Sequence, residues 1–170
     1  GDTVAWRPQG KFARLEYDVV VNHERSRDRY DSYLSKDWAI FRGERLVPRA
    51  RATAPRSLQS RATLDFVMPA GWSALTPYER TAGVPRTIDD KTRRFDRPQG
   101  WMIAGKLGTR GEVIGGIHTI LAAPEGENAR RQDTLAFLNW NLPQLADIFR
   151  SLPPRLLIVS AGDPMWRGGL

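Results

Sequence analysis

The chain has no cysteine and only two histidines, His23 and His118. Without cysteine there is no disulfide staple, no thiolate metal ligand and no cysteine nucleophile. The two histidines form neither H-E-x-x-H nor H-x-H, so no zinc-binding pair is encoded, and each reads as a structural or surface group. Long apolar runs are also missing: nothing approaches the roughly 18 residues of a membrane span. The opening Gly1-Asp2-Thr3-Val4-Ala5-Trp6 lacks the basic-then-apolar order of a secretory signal. There is no internal repeat and no low-complexity tract. Motifs for nucleophiles and phosphates are incomplete. Gly71-Trp72-Ser73-Ala74-Leu75 lacks the closing glycine of G-x-S-x-G and reads as a turn beside a core tryptophan. Gly115-Gly116 is no P-loop and is expected to make a bulge or a close backbone contact inside an apolar strand. Asp89-Asp90 offers too few oxygens for calcium. No catalytic residue, metal ligand or cofactor is therefore assigned, and the chain is expected not to carry a complete catalytic site.

What is present describes a folded protein. Its 170 residues are 41% hydrophobic and 26% charged, which is ordinary for a globular domain and enough for one substantial core. The net charge of +7 invites a polyanion partner, but much of it is balanced locally. Arg25, Arg27 and Arg29 sit among Glu24, Asp28 and Asp31, and Arg93, Arg94 and Arg97 surround Asp96. Only Arg49, Arg51, Arg56 and Arg61 form a stretch without acids, broken by Pro55. The simpler reading is a solvated loop, and the alternative is a basic module that binds an anionic polymer or surface through these four arginines.

Period-two alternation dominates the first two thirds of the chain. Leu15, Tyr17, Val19 and Val21 alternate with polar residues, which predicts a half-buried strand over 13–23. Further strands are expected at Trp38 to Phe41, Arg45 to Val47, Ala62 to Met68, Trp101 to Leu107 and Val113 to Ala122. The last two would be joined by a turn near Gly108-Thr109-Arg110-Gly111. Trp38, Trp101 and Trp140 are expected in the core. The pattern predicts a mainly β accessory domain over 1–123, an antiparallel β-sandwich or open barrel.

Beyond Pro124 the period lengthens to that of a helix, with Leu135, Leu138, Leu142, Leu145 and Ile148 at steps of three and four. Pro143 predicts a kink or restart near Asn141, and Pro153-Pro154 a stop. The apolar run Leu156-Leu157-Ile158-Val159 then reads as a strand covered on both faces. Residues 124–170 thus form a short helix-strand α/β unit, the expected start of a truncated catalytic-type domain. Its sheet neighbours are expected to be missing, so that the fragment would fray or form a homodimer along that strand.

Pro69-Ala70-Gly71-Trp72 in a β-rich region, followed by a helix and an apolar strand closed by Gly168-Gly169-Leu170, resembles the front part of a glycyl-aminopeptidase-like zinc metallopeptidase, related to aminopeptidase N in the gluzincin superfamily. The resemblance implies a β-sandwich placed before a thermolysin-like catalytic domain, in a periplasmic or secreted protein. It also implies that Gly168, Gly169 and Leu170 present backbone to a peptide substrate in the parent protein. Zinc would be held by H-E-x-x-H and a downstream Glu, which this sequence does not contain. The partner implied is the missing catalytic domain of the same protein.

Overall fold

The computed structural model describes residues 5, 7, 10, 14–49, 53, 55, 57–78, 84–88, 96–149 and 152–166. The elements run β1 (His23–Ser26), β2 (Arg29–Leu34), β3 (Trp38–Arg42), α1 (Gly43–Leu46), β4 (Ala62–Leu64), β5 (Ser73–Leu75) and β6 (Arg86–Ile88). They continue with β7 (Trp101–Gly105), β8 (Leu107–Ile114), β9 (Ile117–Pro124), α2 (Arg131–Ile148) and β10 (Arg155–Val159). The fold is mainly β, with an antiparallel five-stranded sheet in the order β1-β2-β3-β7-β5, two smaller sheets, and a helix-strand unit at the end. Among the described residues the sheets do not close into a barrel.

Strand alternation sets the layers. On β3 and β7, Ala39, Phe41, Met102 and Ala104 turn to one face of the large sheet and meet Leu64, Phe66 and Trp72. Ile40 and Ile103 turn to the other face and meet Ala122, Leu157 and Val159. A strand buried on both faces reads as an uninterrupted apolar run, as Ala39-Ile40-Phe41 and Met102-Ile103-Ala104 do.

The second sheet has the order β10-β9-β8, with β8 antiparallel to β9 and β10 parallel to it. A parallel pair needs a crossover, and α2 provides it. Leu156 and Ile158 pack under α2 with Ile114, Ile117, Leu121 and Leu135, while Leu157 and Val159 face the large sheet. The two-faced cover expected of β10 is present. Its expected lack of a sheet neighbour is corrected: β9, earlier in the chain, pairs with it from Arg155 opposite His118 to Val159 opposite Ala122.

Other expectations are corrected by hydrogen bonding that alternation does not encode. Residues 14–22 join no sheet, and Leu15 and Val20 are 65% and 88% exposed. This segment is fastened instead by side chains. The Tyr17 hydroxyl donates to the Leu46 carbonyl at 3.0 Å, and Asn22 Oδ1 accepts from the Leu34 amide at 2.7 Å. Arg45 to Val47 is not a strand, since Arg45 and Leu46 close the single turn of α1. The strand expected over 62–68 ends at Leu64, although Phe66 and Met68 still pack inward. The turn expected at Gly108–Gly111 lies within β8, and the chain reverses instead at Gly115-Gly116, with φ of 56° and 82°. Two successive positive φ values suit the tight hairpin that matches strand twist, and glycine adopts them without steric cost. Pro143 is accommodated inside one continuous α2, without a restart.

Glu44 in α1 ties the elements around β3 together. Its Oε2 accepts the Gly100 amide at 2.9 Å, and its Oε1 lies 2.7 Å from Arg42 Nε. Burial alone would raise its pKa, but hydrogen bonds from its own amide and from Gly100, together with the Arg42 guanidinium, hold it below the usual glutamate value. A depressed folded pKa contributes stability that is fully present above the unfolded value of about 4.3 and is lost as pH falls through the folded value. Glu44→Gln is therefore expected to flatten the acid limb of stability, read by urea unfolding between about pH 6 and about pH 3. Equal slopes for the two proteins would show that the carboxylate contributes nothing.

Candidate functional site

Gly168, Gly169 and Leu170 lie outside the described residues, so the site is built from the segment that leads to them. Beyond β10 the Ser160 amide bonds the Ala122 carbonyl at 2.9 Å, and the Gly162 amide donates to Glu127 Oε2 at 3.1 Å. The chain then crosses to the five-stranded sheet. The Tyr30 amide donates to the Pro164 carbonyl at 3.0 Å, and the Trp166 amide donates to the Tyr30 carbonyl at 2.7 Å, forming a parallel bridge between Tyr30 and Met165. Met165 is buried beside Ile40, Ile103 and Ala122.

Side chains reinforce this crossing. Arg29 pairs with Asp163, and the Arg25 guanidinium lies 5.0 Å from the Trp166 ring centroid. Local charge balance suggested that Arg25, Arg27 and Arg29 serve their sequence neighbours, yet Arg29 and Arg25 engage residues more than a hundred positions away. Each contact is partly exposed and contributes about 1 kcal/mol or less, so the backbone bridge and buried Met165 carry most of the docking.

The described residues hold no nucleophile-base pair at this crossing. His23 Nδ1 lies 2.7 Å from Asp31 Oδ1, and Asp31 also accepts both terminal nitrogens of Arg45, at 3.1 and 3.0 Å. Ser32 is opposite His23 in register but buried on the face away from Asp31, so the three do not form a triad. His118 is exposed on β9. Among the described residues no group of three or more His, Asp or Glu could hold a metal, so a zinc site does not fit them. No helix among them is long and apolar enough to cross a membrane.

The alternative basic site is partly visible. Arg49 and Arg61 are exposed, while Arg51 and Arg56 fall outside the described residues, as do Asp89 and Asp90. Of the tryptophans expected in the core, Trp38 and Trp101 pack against the cluster of Ile40, Ile103 and Ala122, but Trp140 is 80% exposed.

Comparison with protein-family models and with curated proteins finds no match. Among solved structures, the fold is similar to the crystal structure of an aminopeptidase N family protein from Idiomarina loihiensis, with a TM-score of 0.54 and 18% identity. The match covers 78% of this chain and 23% of that one. At this identity the likeness is one of fold.

Proposed function

We propose that this chain is a non-catalytic, amino-terminal region of a zinc aminopeptidase-like protein, supporting a catalytic domain that continues the α/β unit. The observation that carries the reading is the fold likeness to an aminopeptidase N family protein over 78% of this chain, in a match covering under a quarter of that protein. The shared apolar cluster between the two sheets supports it, since β10 rests on the sandwich rather than hanging from it. The segment held at Tyr30 would then deliver Gly168, Gly169 and Leu170 to the edge of a peptide-binding cleft, with zinc and the general base on the further domain. A periplasmic or secreted setting belongs to the same proposal.

The test compares this 170-residue chain with the full product of its gene, each assayed for zinc-dependent release of an amino-terminal residue from a chromogenic substrate. Turnover is expected from the full product and not from the chain alone. Zinc-dependent turnover by the chain alone, or none by the full product, overturns the reading.

A further inference from the structure

The described structure contains a cavity of about 190 Å³ at the seam where the sheets meet. It is lined by Ser73, Thr76 and Tyr78 on or after β5, Arg86 of β6, Thr109 of β8 and Arg155 of β10. Hydroxyl and guanidinium groups therefore converge from all three sheets, and no described acidic residue is among the lining groups.

The two arginines are held differently. Arg86 is only 7% exposed, its Nη2 donates to the Ala74 carbonyl at 3.0 Å, and its guanidinium lies 5.4 Å from the Phe66 ring centroid. It is a positive charge fixed by the fold. Arg155 heads the apolar run of β10, and its Nε is buried with no hydrogen-bond partner among the described residues. A buried charged donor left unpaired is costly and calls for an acceptor.

We propose that this cavity binds a small oxyanion, a carboxylate or a phosphate, with Arg155 as the group that ligates it and Thr109 and Ser73 as hydroxyl donors beside it. The planar guanidinium fork matches the paired oxygens of either group. Volume limits the ligand. At about 30 Å³ for each water-sized share, the space admits a phosphate or a short carboxylate with some water. Pockets that enclose drug-sized ligands run to roughly 300 Å³ or more, so a nucleotide or a long peptide would not fit wholly within this one. In the sequence this site shows only as a single arginine placed before an apolar strand, where a leucine or valine would pack as well.

The experiment titrates the chain with sodium phosphate and, separately, with sodium acetate, at ionic strength held constant with chloride, following binding calorimetrically and the thermal midpoint. At least one anion is expected to bind saturably and raise the midpoint, and the tighter of the two identifies the ligand class. Arg155→Met is expected to weaken that binding at least about tenfold, the scale of losing a charge-assisted hydrogen bond. It should also leave the anion-free midpoint unchanged or higher, because it removes an unpaired buried donor, and a purely structural arginine would not behave this way. Arg110→Gln, exposed on the neighbouring position of β8, removes the same charge and should bind as the wild type does. Should Arg155→Met not fold, Thr109→Val supplies the weakened site. Failure of both anions to saturate, or unchanged binding in the Arg155 or Thr109 variant, overturns the proposal. The outcome is independent of the peptidase reading, because no zinc or peptide enters the measurement.

Discussion

Gly105→Ala is expected to cost roughly 2–6 kcal/mol, combining a strained backbone and an overpacked contact, each worth about 1–3 kcal/mol. Gly105 ends β7 with a φ of 140°, which L side chains rarely adopt. A Cβ there would lie 2.6 Å from Trp38 Cα and 2.8 Å from Trp38 Cβ, and closer still to the Asp37 carbonyl oxygen. The obstruction is mostly backbone, which cannot swing aside as a side chain would. Neither flank can relax freely, because Gly105 is in register with Trp38 on one side and with Ser73 on the other. The next residue is pinned too: the Lys106 amide donates to the Asp37 carbonyl at 3.0 Å, as the chain leaves the large sheet for β8. Gly116→Ala is the control. Its φ of 82° carries the left-handed penalty, but nothing lies within 4 Å of the added methyl, so about 1–2 kcal/mol is expected. Urea unfolding of the two variants decides the matter. Equal losses would mean that the approach of Asp37 and Trp38 to Gly105 is loose and that the corner does not fix how the sheets meet.

That corner illustrates what the sequence could show. A glycine between two apolar strands signals a turn, but not which of several glycines makes it. Gly108 and Gly111 bracket a plausible reversal, yet the tight turn requires two adjacent residues at positive φ, which only Gly115-Gly116 supplies in this region. Buried strands were legible where both faces demand apolar side chains, as in Ala39-Ile40-Phe41 and Leu156-Leu157-Ile158-Val159. The alternation of Leu15, Tyr17, Val19 and Val21 was misleading for the complementary reason. Periodicity records which side of an extended chain is apolar, and it cannot record whether a neighbouring strand offers hydrogen bonds. The neighbour of β10 was hidden likewise, since nothing in Val113 to Ala122 states that a strand dozens of residues later will pair with it. Of the candidate site, Gly168 and Gly169 lie outside the described residues, and the crossing of Asp163 to Trp166 onto Arg25, Arg29 and Tyr30 was not legible, because those contacts join residues more than a hundred positions apart.

Leu135→Ala is expected to cost about 2–5 kcal/mol, the range for deleting a large side chain from a packed core. Leu135 is 1% exposed on α2, in contact with the cluster of Ile114, Ile117, Leu121 and Leu142. The helix has two polar ties to β8 besides, from Arg131 Nε to the Gly108 carbonyl at 3.1 Å and from Asn139 Nδ2 to Glu112 Oε2 at 2.8 Å. Its amino-terminal cap makes no side-chain hydrogen bond, and Pro143 interrupts its own ladder. Its apolar residues divide between two faces: Leu135, Leu138 and Leu142 point to the sheet, while Phe137, Trp140 and Ile148 are 64%, 80% and 73% exposed on the other. Helices in proteins draw most of their stability from packing of one face, so the buried face of α2 must supply most of its own. Phe137→Ala, on the exposed face, should then change stability by no more than about 0.5 kcal/mol. The consequence reaches the candidate site, because α2 also covers Leu156 and Ile158 of β10, and β10 carries the chain toward Asp163 and Trp166. In Leu135→Ala, hydrogen exchange should accelerate in α2 and β10 while β3 and β7, buried on both faces, keep their protection. Acceleration spread evenly over all the strands would instead mean that the sandwich and the helix-strand unit open together, with β10 supported by the large sheet rather than by α2.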